Sequence, residues 1–226
     1  MEIKETLIFN KIKMPNLTVE EVAEVFKTWK YTDELGIGFT YVHIEDDSIV
    51  TNVLYRIPSY VQNYNSQDNI FEKNIIYIYD EIQIVLDCPR GLIYSTSSSV
   101  KFNKAKSLLR NCFKSKISFE NIESSAVKMF ERLRMLNWNP FIVDLSIKKF
   151  MYKEGAVGRL SLHFEKSEIG EELLDLYSSN INRMTVLVES KEFSNFILSI
   201  ASQNSFTIKS EESDFWPIVN LIKQNL

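Results

Sequence analysis

The stretch SIVTNVLYRIPSY, residues 48–60, is the part of the chain that most clearly predicts its fold. It is rich in Ile, Val, Tyr and Thr, the residue types that favour extended strands. Residues 39–45, 74–86 and 92–95 share this character. Together these stretches predict a largely antiparallel sheet. The polar segment between Asn63 and Asn69 is expected to form a long exposed loop between two of the strands.

A helix is expected ahead of this sheet, over about residues 19–30. The sequence that begins it, TVEE at residues 18–21, has the pattern of a capping box. In such a box the Thr18 hydroxyl and the Glu21 carboxylate each satisfy a backbone amide that the helix leaves unbonded. Apolar residues then recur at helical spacing and are expected to face the core. They are Val22, Phe26 and Trp29.

The C-terminal half is expected to alternate helices with strands. A helical stripe covers residues 122–136, and residues 141–152 and 157–165 predict a hairpin that turns at Gly155. A second helix, capped by Ser190, is expected to carry Phe193, Phe196, Ile197 and Ile200 on one face. The other elements are a helix capped by Ser167, strands at 184–188 and 206–209, and a closing helix.

These patterns predict an α+β protein with two mixed lobes. The N-terminal half has a largely antiparallel sheet with helices, and the C-terminal half has a helix-covered mixed sheet. The first lobe is placed at residues 1–116, with a basic strand, loop and helix at its end, and the second at residues 117–226. Because no Pro, Gly or Ser-rich linker marks this boundary, the lobes are expected to form one continuous body.

The composition is that of an ordered globular protein, with 45% apolar residues and few Gly and Pro. The uninterrupted apolar runs are strand-sized, so no membrane span is expected. The first residues lack the apolar region of a secretion signal. Two cysteines, Cys88 and Cys112, are too few for a disulfide framework and form no Cys-x-x-Cys pair. We therefore expect a cytoplasmic protein.

Positive charge is concentrated in one segment of the chain. The 32 residues from Cys88 to Phe119 contain seven Lys and Arg and no Asp or Glu. The remainder contains 19 Lys and Arg against 30 Asp and Glu, so it is strongly acidic. Such segregation indicates where an acidic partner could dock.

The basic segment predicts a strand, a hydroxyl-rich loop at residues 95–99, and a helix that Ser99 caps and that runs to about Phe113. Lys106, Arg110 and Lys114 are expected to stack opposite its apolar face at i, i+4 and i+8. Like charges at this spacing cost roughly 0.2 to 0.5 kcal/mol per pair. Lys101 and Lys104 lie near the positive end of the helix dipole, where cations cost roughly 0.3 to 1 kcal/mol.

An anion placed at the N-terminus of this helix would relieve both costs. Free amides, serine hydroxyls and lysine side chains would converge on a phosphate or carboxylate there. The residues predicted to bind an anion or a partner are Ser97, Ser98, Ser99, Lys101, Lys104, Lys106, Arg110 and Lys114.

Three interpretations of this segment remain open: a solvated face whose counter-charges come from the rest of the chain, a site for a polyanion such as nucleic acid, and a docking site for an acidic protein or a second copy. The pI near 5.4 and the lack of a known reader motif argue against nucleic acid. Aromatic residues that could stack on bases argue for it. They are Tyr60, Tyr64, Tyr94, Phe102 and Phe113.

The function predicted from the sequence is a non-catalytic binding or assembly subunit. It docks an acidic protein partner or a polyanion, with nucleic acid as a candidate, through the basic segment 90–116. The chain is expected to act as a homo-oligomer or as a subunit of a complex, away from the membrane. No cofactor is expected, and the usual nucleotide-binding and hydrolase motifs are missing from the sequence.

The alternative is a metal-dependent enzyme built on two similar segments. GFTYVHIE at residues 38–45 and GRLSLHFE at residues 158–165 each place a Gly five residues before a His and a Glu two residues after it. In a strand, residues i and i+2 point to the same side, so each pair could present an imidazole and a carboxylate together. The candidate ligands are His43, Glu45, His163 and Glu165.

Overall fold

The computed structural model describes residues 1–122, 126–136, 138–201 and 204–226. The chain is about 50% strand and 27% helix, which confirms a mixed helix and strand protein with a largely antiparallel sheet. Among these residues, no helix has the length and apolar character needed to cross a membrane. The strands are β1 (Glu2–Lys13), β2 (Ile37–Glu45), β3 (Ser48–Asn65), β4 (Ile70–Asp87), β5 (Leu92–Ser95), β6 (Ser118–Glu120), β7 (Asn139–Lys153), β8 (Ala156–His163), β9 (Ile181–Glu189), β10 (Phe196–Ala201) and β11 (Ser205–Glu211). The helices are α1 (Val19–Thr28), α2 (Ser99–Cys112), α3 (Ala126–Met135), α4 (Ser167–Leu176) and α5 (Glu212–Gln224).

The chain divides into two compact units. The first contains residues 12–119, and the second contains residues 1–11 together with 120–226. The division therefore falls within β1, whose first residues group with the C-terminal half of the chain. The sequence-based assignment of lobes to residues 1–116 and 117–226 stays a prediction.

In the unit of residues 12–119, β2, β3, β4 and β5 lie side by side in that order, each antiparallel to its neighbour. Helix α1 packs on β2 and α2 packs on β4. The predicted capping box is confirmed: the Glu21 amide donates to Thr18 Oγ1 over 3.2 Å, and the Thr18 amide donates to Glu21 Oε2 over 2.8 Å. The rings of Phe26 and Phe39 stack 4.5 Å apart in the core.

The expected loop between Asn63 and Asn69 is mostly strand. β3 and β4 pair continuously out to Asn65 and Ile70, so that only residues 66–69 form the turn. The Asn65 side chain stabilises this turn, because its Oδ1 accepts a hydrogen bond from the Gln67 amide over 3.0 Å. The prediction was wrong because both faces of this two-stranded segment are exposed, and polar residues therefore do not mark a loop there.

In the second unit the strands lie in the order β1, β11, β10, β9, β7 and β8. All five of these pairs are antiparallel, so the expected mixed sheet is wrong for these strands. Helices α3 and α4 pack on β7, and α5 packs on β11. The β7–β8 hairpin was predicted, with Gly155 at its turn in the left-handed region (φ 79°). Residues 123–125 of the helical stripe predicted over 122–136 lie outside the described residues.

The helix predicted after Ser190 is also wrong, because this segment is strand β10. Phe196, Leu198 and Ile200 are buried and alternate with partly exposed neighbours, which is the period of a strand with one covered face. β10 pairs with β9 on one side and β11 on the other. The Ser190 hydroxyl accepts hydrogen bonds from the Glu192 and Phe193 amides, but the turn that these bonds form does not continue into a helix.

Candidate functional site

The basic segment folds as a strand, a loop and a helix, which are β5, residues 96–98 and α2. The N-cap is Ser98 and not Ser99, since Ser98 Oγ accepts from the Lys101 amide over 3.5 Å and Ser99 is the first helical residue. The Ser97 amide donates to Ser95 Oγ over 3.1 Å. The three predicted serines thus lie at the N-terminus of α2, as expected.

Lys101 has a counter-charge that the sequence did not reveal. Its Nζ lies 2.7 Å from Asp80 Oδ1, and the Tyr55 hydroxyl donates to Asp80 Oδ2 over 2.7 Å. These hydrogen bonds, from Lys101 first and Tyr55 second, lower the pKa of Asp80. Burial, together with Asp80, raises the pKa of Tyr55 to about 12. An anion at the N-terminus of α2 must therefore compete with Asp80 for Lys101.

Lys104 contacts the same tyrosine. Its Nζ lies 4.0 Å from the centre of the Tyr55 ring, a distance at which a cation is attracted to the ring face. We call Tyr55, Asp80, Lys101 and Lys104 the Tyr55 cluster. It joins the first turns of α2 to β3 and β4, so that these two lysines also contribute to the packing of the unit.

Lys106 and Arg110 share a different aromatic residue. The Arg110 guanidinium lies 5.0 Å from the Phe119 ring centre, and Lys106 Nζ lies 5.8 Å from it. Lys106 is half-buried, and burial, followed by the charge of Arg110, lowers its pKa. This result agrees with the repulsion expected for like charges at i and i+4. Phe119 follows the helix by several residues, and nothing in its sequence context indicates this contact.

Lys114 does not continue the helical stack. Helix α2 ends at Cys112, and Lys114 and Ser115 both have left-handed backbone, with φ of 49° and 61°. The Ser115 amide donates to the Arg110 carbonyl over 2.7 Å, and the Lys116 amide donates to the Phe113 carbonyl over 2.9 Å. These two hydrogen bonds close a tight turn immediately after the helix, and Lys114 and Lys116 belong to this turn.

Three cations at this end of α2 are exposed. They are Arg110, Lys114 and Lys116, and we call them the basic end. Within the described parts of the chain, none of the three forms an ion pair with a carboxylate. Lys101, by contrast, is paired with Asp80, and Arg90 lies 3.1 Å from Asp87. Two of the seven basic residues of the segment, Lys101 and Arg90, thus have a carboxylate partner, whereas the three of the basic end have none among the described residues.

The aromatic residues considered for base stacking divide in the same way. Tyr94, Phe102 and Phe113 are buried, so their rings are part of the core. Tyr60 and Tyr64 are exposed, on the part of the β3–β4 hairpin that extends past Tyr55. Of the five residues proposed for base stacking, only these two offer a ring to a ligand.

The residues of the alternative metal site lie in different units. His43 and Glu45 belong to β2, and both are exposed. His163 is the last residue of β8, with Nδ1 2.9 Å from Asp144 Oδ1, and Glu165 follows the strand, so the strand argument does not apply to it. Among the described residues, no three His, Cys, Asp or Glu side chains group closely enough to hold a metal ion.

Glu165 instead lines an open cleft of about 650 Å³. Arg134 and Glu171 also line this cleft and are paired with each other, with 2.6 Å between Nη2 and Oε2. The wall therefore carries both signs of charge, and the arginine next to Glu171 disfavours a cation there.

The chain matches no known family model, and no curated protein is significantly similar to it. A functional assignment therefore rests on the residues and geometry described above.

Proposed function

We propose that this chain is a non-catalytic binding or assembly subunit that docks an acidic protein partner through the basic segment 90–116. One observation supports the proposal above all others. At the basic end, Arg110, Lys114 and Lys116 are exposed, and within the described residues no carboxylate pairs with them. Carboxylates on a partner would provide the counter-charges that the 32-residue segment itself lacks.

The geometry favours the basic end over the helix N-terminus as the centre of docking. Lys101 is paired with Asp80, so a partner gains less by binding it. Arg110 can form two parallel hydrogen bonds with one carboxylate, and its contact with Phe119 restricts the guanidinium in advance. Lys104 and Lys106 flank this centre and add longer-range attraction.

An acidic protein fits this surface better than nucleic acid does. A single exposed ion pair contributes only about 0.2 to 1 kcal/mol, so useful affinity requires several pairs at once. A compact acidic patch can engage the three cations of the basic end together. An extended phosphate backbone would also approach the acidic remainder of the chain, which repels it.

Two finer points belong to the same proposal. We place the protein in the cytoplasm, because its two cysteines, Cys88 and Cys112, are both free thiols. We also propose that the chain has an N-terminal lobe, residues 1–116, which carries the binding segment, and a C-terminal lobe, residues 117–226.

The proposal can be tested by fluorescence anisotropy with a labelled polyglutamate peptide and, in parallel, a labelled single-stranded oligonucleotide. Reversing the charges of the basic end, in Arg110→Glu/Lys114→Glu/Lys116→Glu, should weaken peptide binding by at least about tenfold. The matched control is Lys149→Glu/Lys153→Glu/Arg159→Glu, which makes the same charge change on exposed residues of β7 and β8. It should bind the peptide almost as well as the wild type.

Peptide binding that both triple variants retain equally would show that the basic end is not the site. Tighter binding of the oligonucleotide than of the peptide, lost in the first variant alone, would overturn the acidic protein in favour of a nucleic acid.

A further inference from the structure

Past Tyr55 and Asp80, β3 and β4 continue as a two-stranded ribbon, residues 56–79, which we call the arm. It contains ten cross-strand pairs, from Arg56–Tyr79 to Asn65–Ile70. The pairing of β2 with β3 ends at Tyr55, and that of β5 with β4 covers only residues 85–87. A two-stranded ribbon without a third strand is marginally stable in water unless its side chains are covered.

One face of the arm is unusually aromatic. Residues directly opposite each other in an antiparallel pair share a face, and alternate pairs belong to opposite faces. Contacts between neighbouring pairs confirm this arrangement: Arg56 lies over the Tyr77 ring at 4.5 Å, and Lys73 lies over the Tyr60 ring at 4.2 Å. The aromatic face consists of the pairs Arg56–Tyr79, Pro58–Tyr77, Tyr60–Ile75, Gln62–Lys73 and Tyr64–Phe71.

These apolar side chains are in contact with solvent. Six of them are between 47% and 70% exposed, namely Tyr60, Tyr64, Phe71, Ile75, Tyr77 and Tyr79. A fully buried aromatic side chain removes 150–250 Å² from water, so at half exposure each of the five aromatic residues offers on the order of 100 Å², and Ile75 adds somewhat less. The face thus presents roughly 600 Å² of apolar area, as much as the largest patch on a typical monomer.

We propose that the aromatic face of the arm docks on the same face of a second copy of this chain, in an antiparallel arrangement with two-fold symmetry. The smallest stable protein interfaces bury about 600 Å² on each partner, which is close to what this face offers. An interface at this lower limit predicts micromolar association. The proposal is independent of the basic segment and of the function proposed for it.

The distribution of charge selects the antiparallel arrangement. Arg56 lies at the base of the aromatic face, and the aromatic pair Tyr64–Phe71 lies at its tip. A two-fold axis through the central pair, Tyr60–Ile75, places the base of one arm against the tip of the other, so that each arginine meets two rings. In a parallel arrangement each arginine would instead face its own copy and be repelled.

The charge balance of the arm favours a second copy over nucleic acid. Its cations, Arg56 and Lys73, are matched by Asp68 and Glu72, so the net charge is zero. Binding to a phosphate backbone depends on an excess of cations, which the arm lacks. An isologous protein contact needs no such excess.

Two neighbouring isoleucines provide a matched test by sedimentation velocity across the micromolar range. Ile75 is 54% exposed on the aromatic face, at the centre of the proposed interface, and Ile76 is 46% exposed on the opposite face. Ile75→Lys should raise the dimer dissociation constant by at least about tenfold, because the two lysines would meet at the axis. Ile76→Lys should leave the dimer almost unchanged.

A mixing experiment separates repulsion at the axis from a loss of structure. Ile75→Lys and Ile75→Glu should each be monomeric alone and should form a heterodimer when mixed. As an independent measurement, oxidation of Ile75→Cys should give a disulfide-linked dimer, whereas oxidation of Ile76→Cys should not.

A wild type that stays monomeric throughout this range would overturn the proposal. Equal effects of Ile75→Lys and Ile76→Lys, or no heterodimer on mixing, would overturn it as well. Monomeric protein that binds a single-stranded oligonucleotide, and loses that binding in Ile75→Glu alone, would assign the face to nucleic acid instead.

Discussion

Lys101 Nζ and Asp80 Oδ1 lie 2.7 Å apart, an ion pair between α2 and β4. Asp80 also accepts from the Tyr55 hydroxyl, so one carboxylate orders two side chains from different elements. This ion pair neutralises Lys101 near the helix N-terminus, whereas the three cations of the basic end have no carboxylate partner among the described residues.

Removing the charge of Asp80 should destabilise the fold. We expect Asp80→Asn to lower the free energy of unfolding by about 1 kcal/mol at neutral pH, as measured by chemical denaturation. The control is Glu81→Gln, which removes a charge from the next, exposed residue of β4 and should change the stability by less than about 0.5 kcal/mol. Equal effects of the two variants would mean that the ion pair does not contribute.

The stabilisation by Asp80 should also depend on pH. Its pKa in the folded protein is lowered from the ordinary value of 3.8 by Lys101 and Tyr55. The contribution is therefore fully present above 3.8 and is lost as the pH falls through the lower pKa of the folded state. The stability difference between the wild type and Asp80→Asn should be constant near neutral pH and shrink in strong acid. A difference that grows on acidification would contradict this assignment.

Two adjacent serines should differ in their effect on α2. Ser98→Ala removes the N-cap and should lower the free energy of unfolding by about 0.5 to 2 kcal/mol. Ser99→Ala lies inside the first turn and should be neutral or slightly stabilising, since Ala favours helix. Denaturation curves of both variants measure the difference. A larger loss of stability in Ser99→Ala than in Ser98→Ala would show that Ser99 is the N-cap, as the sequence predicted.

The two glycines of the repeated Gly and His pattern should also differ. A Cβ on Gly38 would lie 2.5 Å from the backbone of Tyr31, whereas a Cβ on Gly158 meets nothing within 4 Å. Gly38→Ala should therefore cost about 1 to 3 kcal/mol, because neither backbone can move freely. Gly158→Ala should be neutral or stabilising by several tenths of a kcal/mol. Thermal melts of the two variants measure this difference. Equal losses of stability in both would mean that the two glycines have the same structural role.

Both cysteines should react slowly with iodoacetamide in the folded protein. Burial raises the pKa of Cys88 to about 11 and that of Cys112 to about 12. Because only the thiolate reacts, alkylation near pH 8 should be at least about a hundredfold slower than in denaturant, as followed by mass spectrometry. An added exposed thiol, as in Asn63→Cys, should react fast in the same protein. Rapid modification of Cys88, which is only half-buried, would contradict the raised pKa of its thiol.

Elements whose signals are local were predictable from the sequence. Thr18 and Glu21 form the capping box within one turn, and the helix of the basic segment began within one residue of its expected start, at Ser99. The segment after Ser190 was misassigned because Phe196 and Ile200 fit a helical period, whereas the pairing of β10 with two neighbouring strands decides its structure.

The candidate site was only partly predictable, for the same reason. The sequence identified the cations, but not their partners. Asp80 lies 21 residues before Lys101 and Tyr55 lies further away, so their contacts depend on tertiary structure. The inner part of the arm falls within the strands predicted at residues 48–60 and 74–86, but its outer part was missed. Residues 61–73 are largely polar and exposed on both faces, which resembles a loop between two core strands.

If the basic end docks an acidic partner by charge, binding should depend on salt. The most direct measurement is the dissociation constant of the polyglutamate peptide as a function of salt, for the wild type and for the uncharged variant Arg110→Gln/Lys114→Gln/Lys116→Gln. Wild-type binding should weaken steeply as salt rises, and the variant should bind weakly with little dependence on salt. The same affinity and the same salt dependence in both proteins would show that the basic end does not dock the peptide by charge.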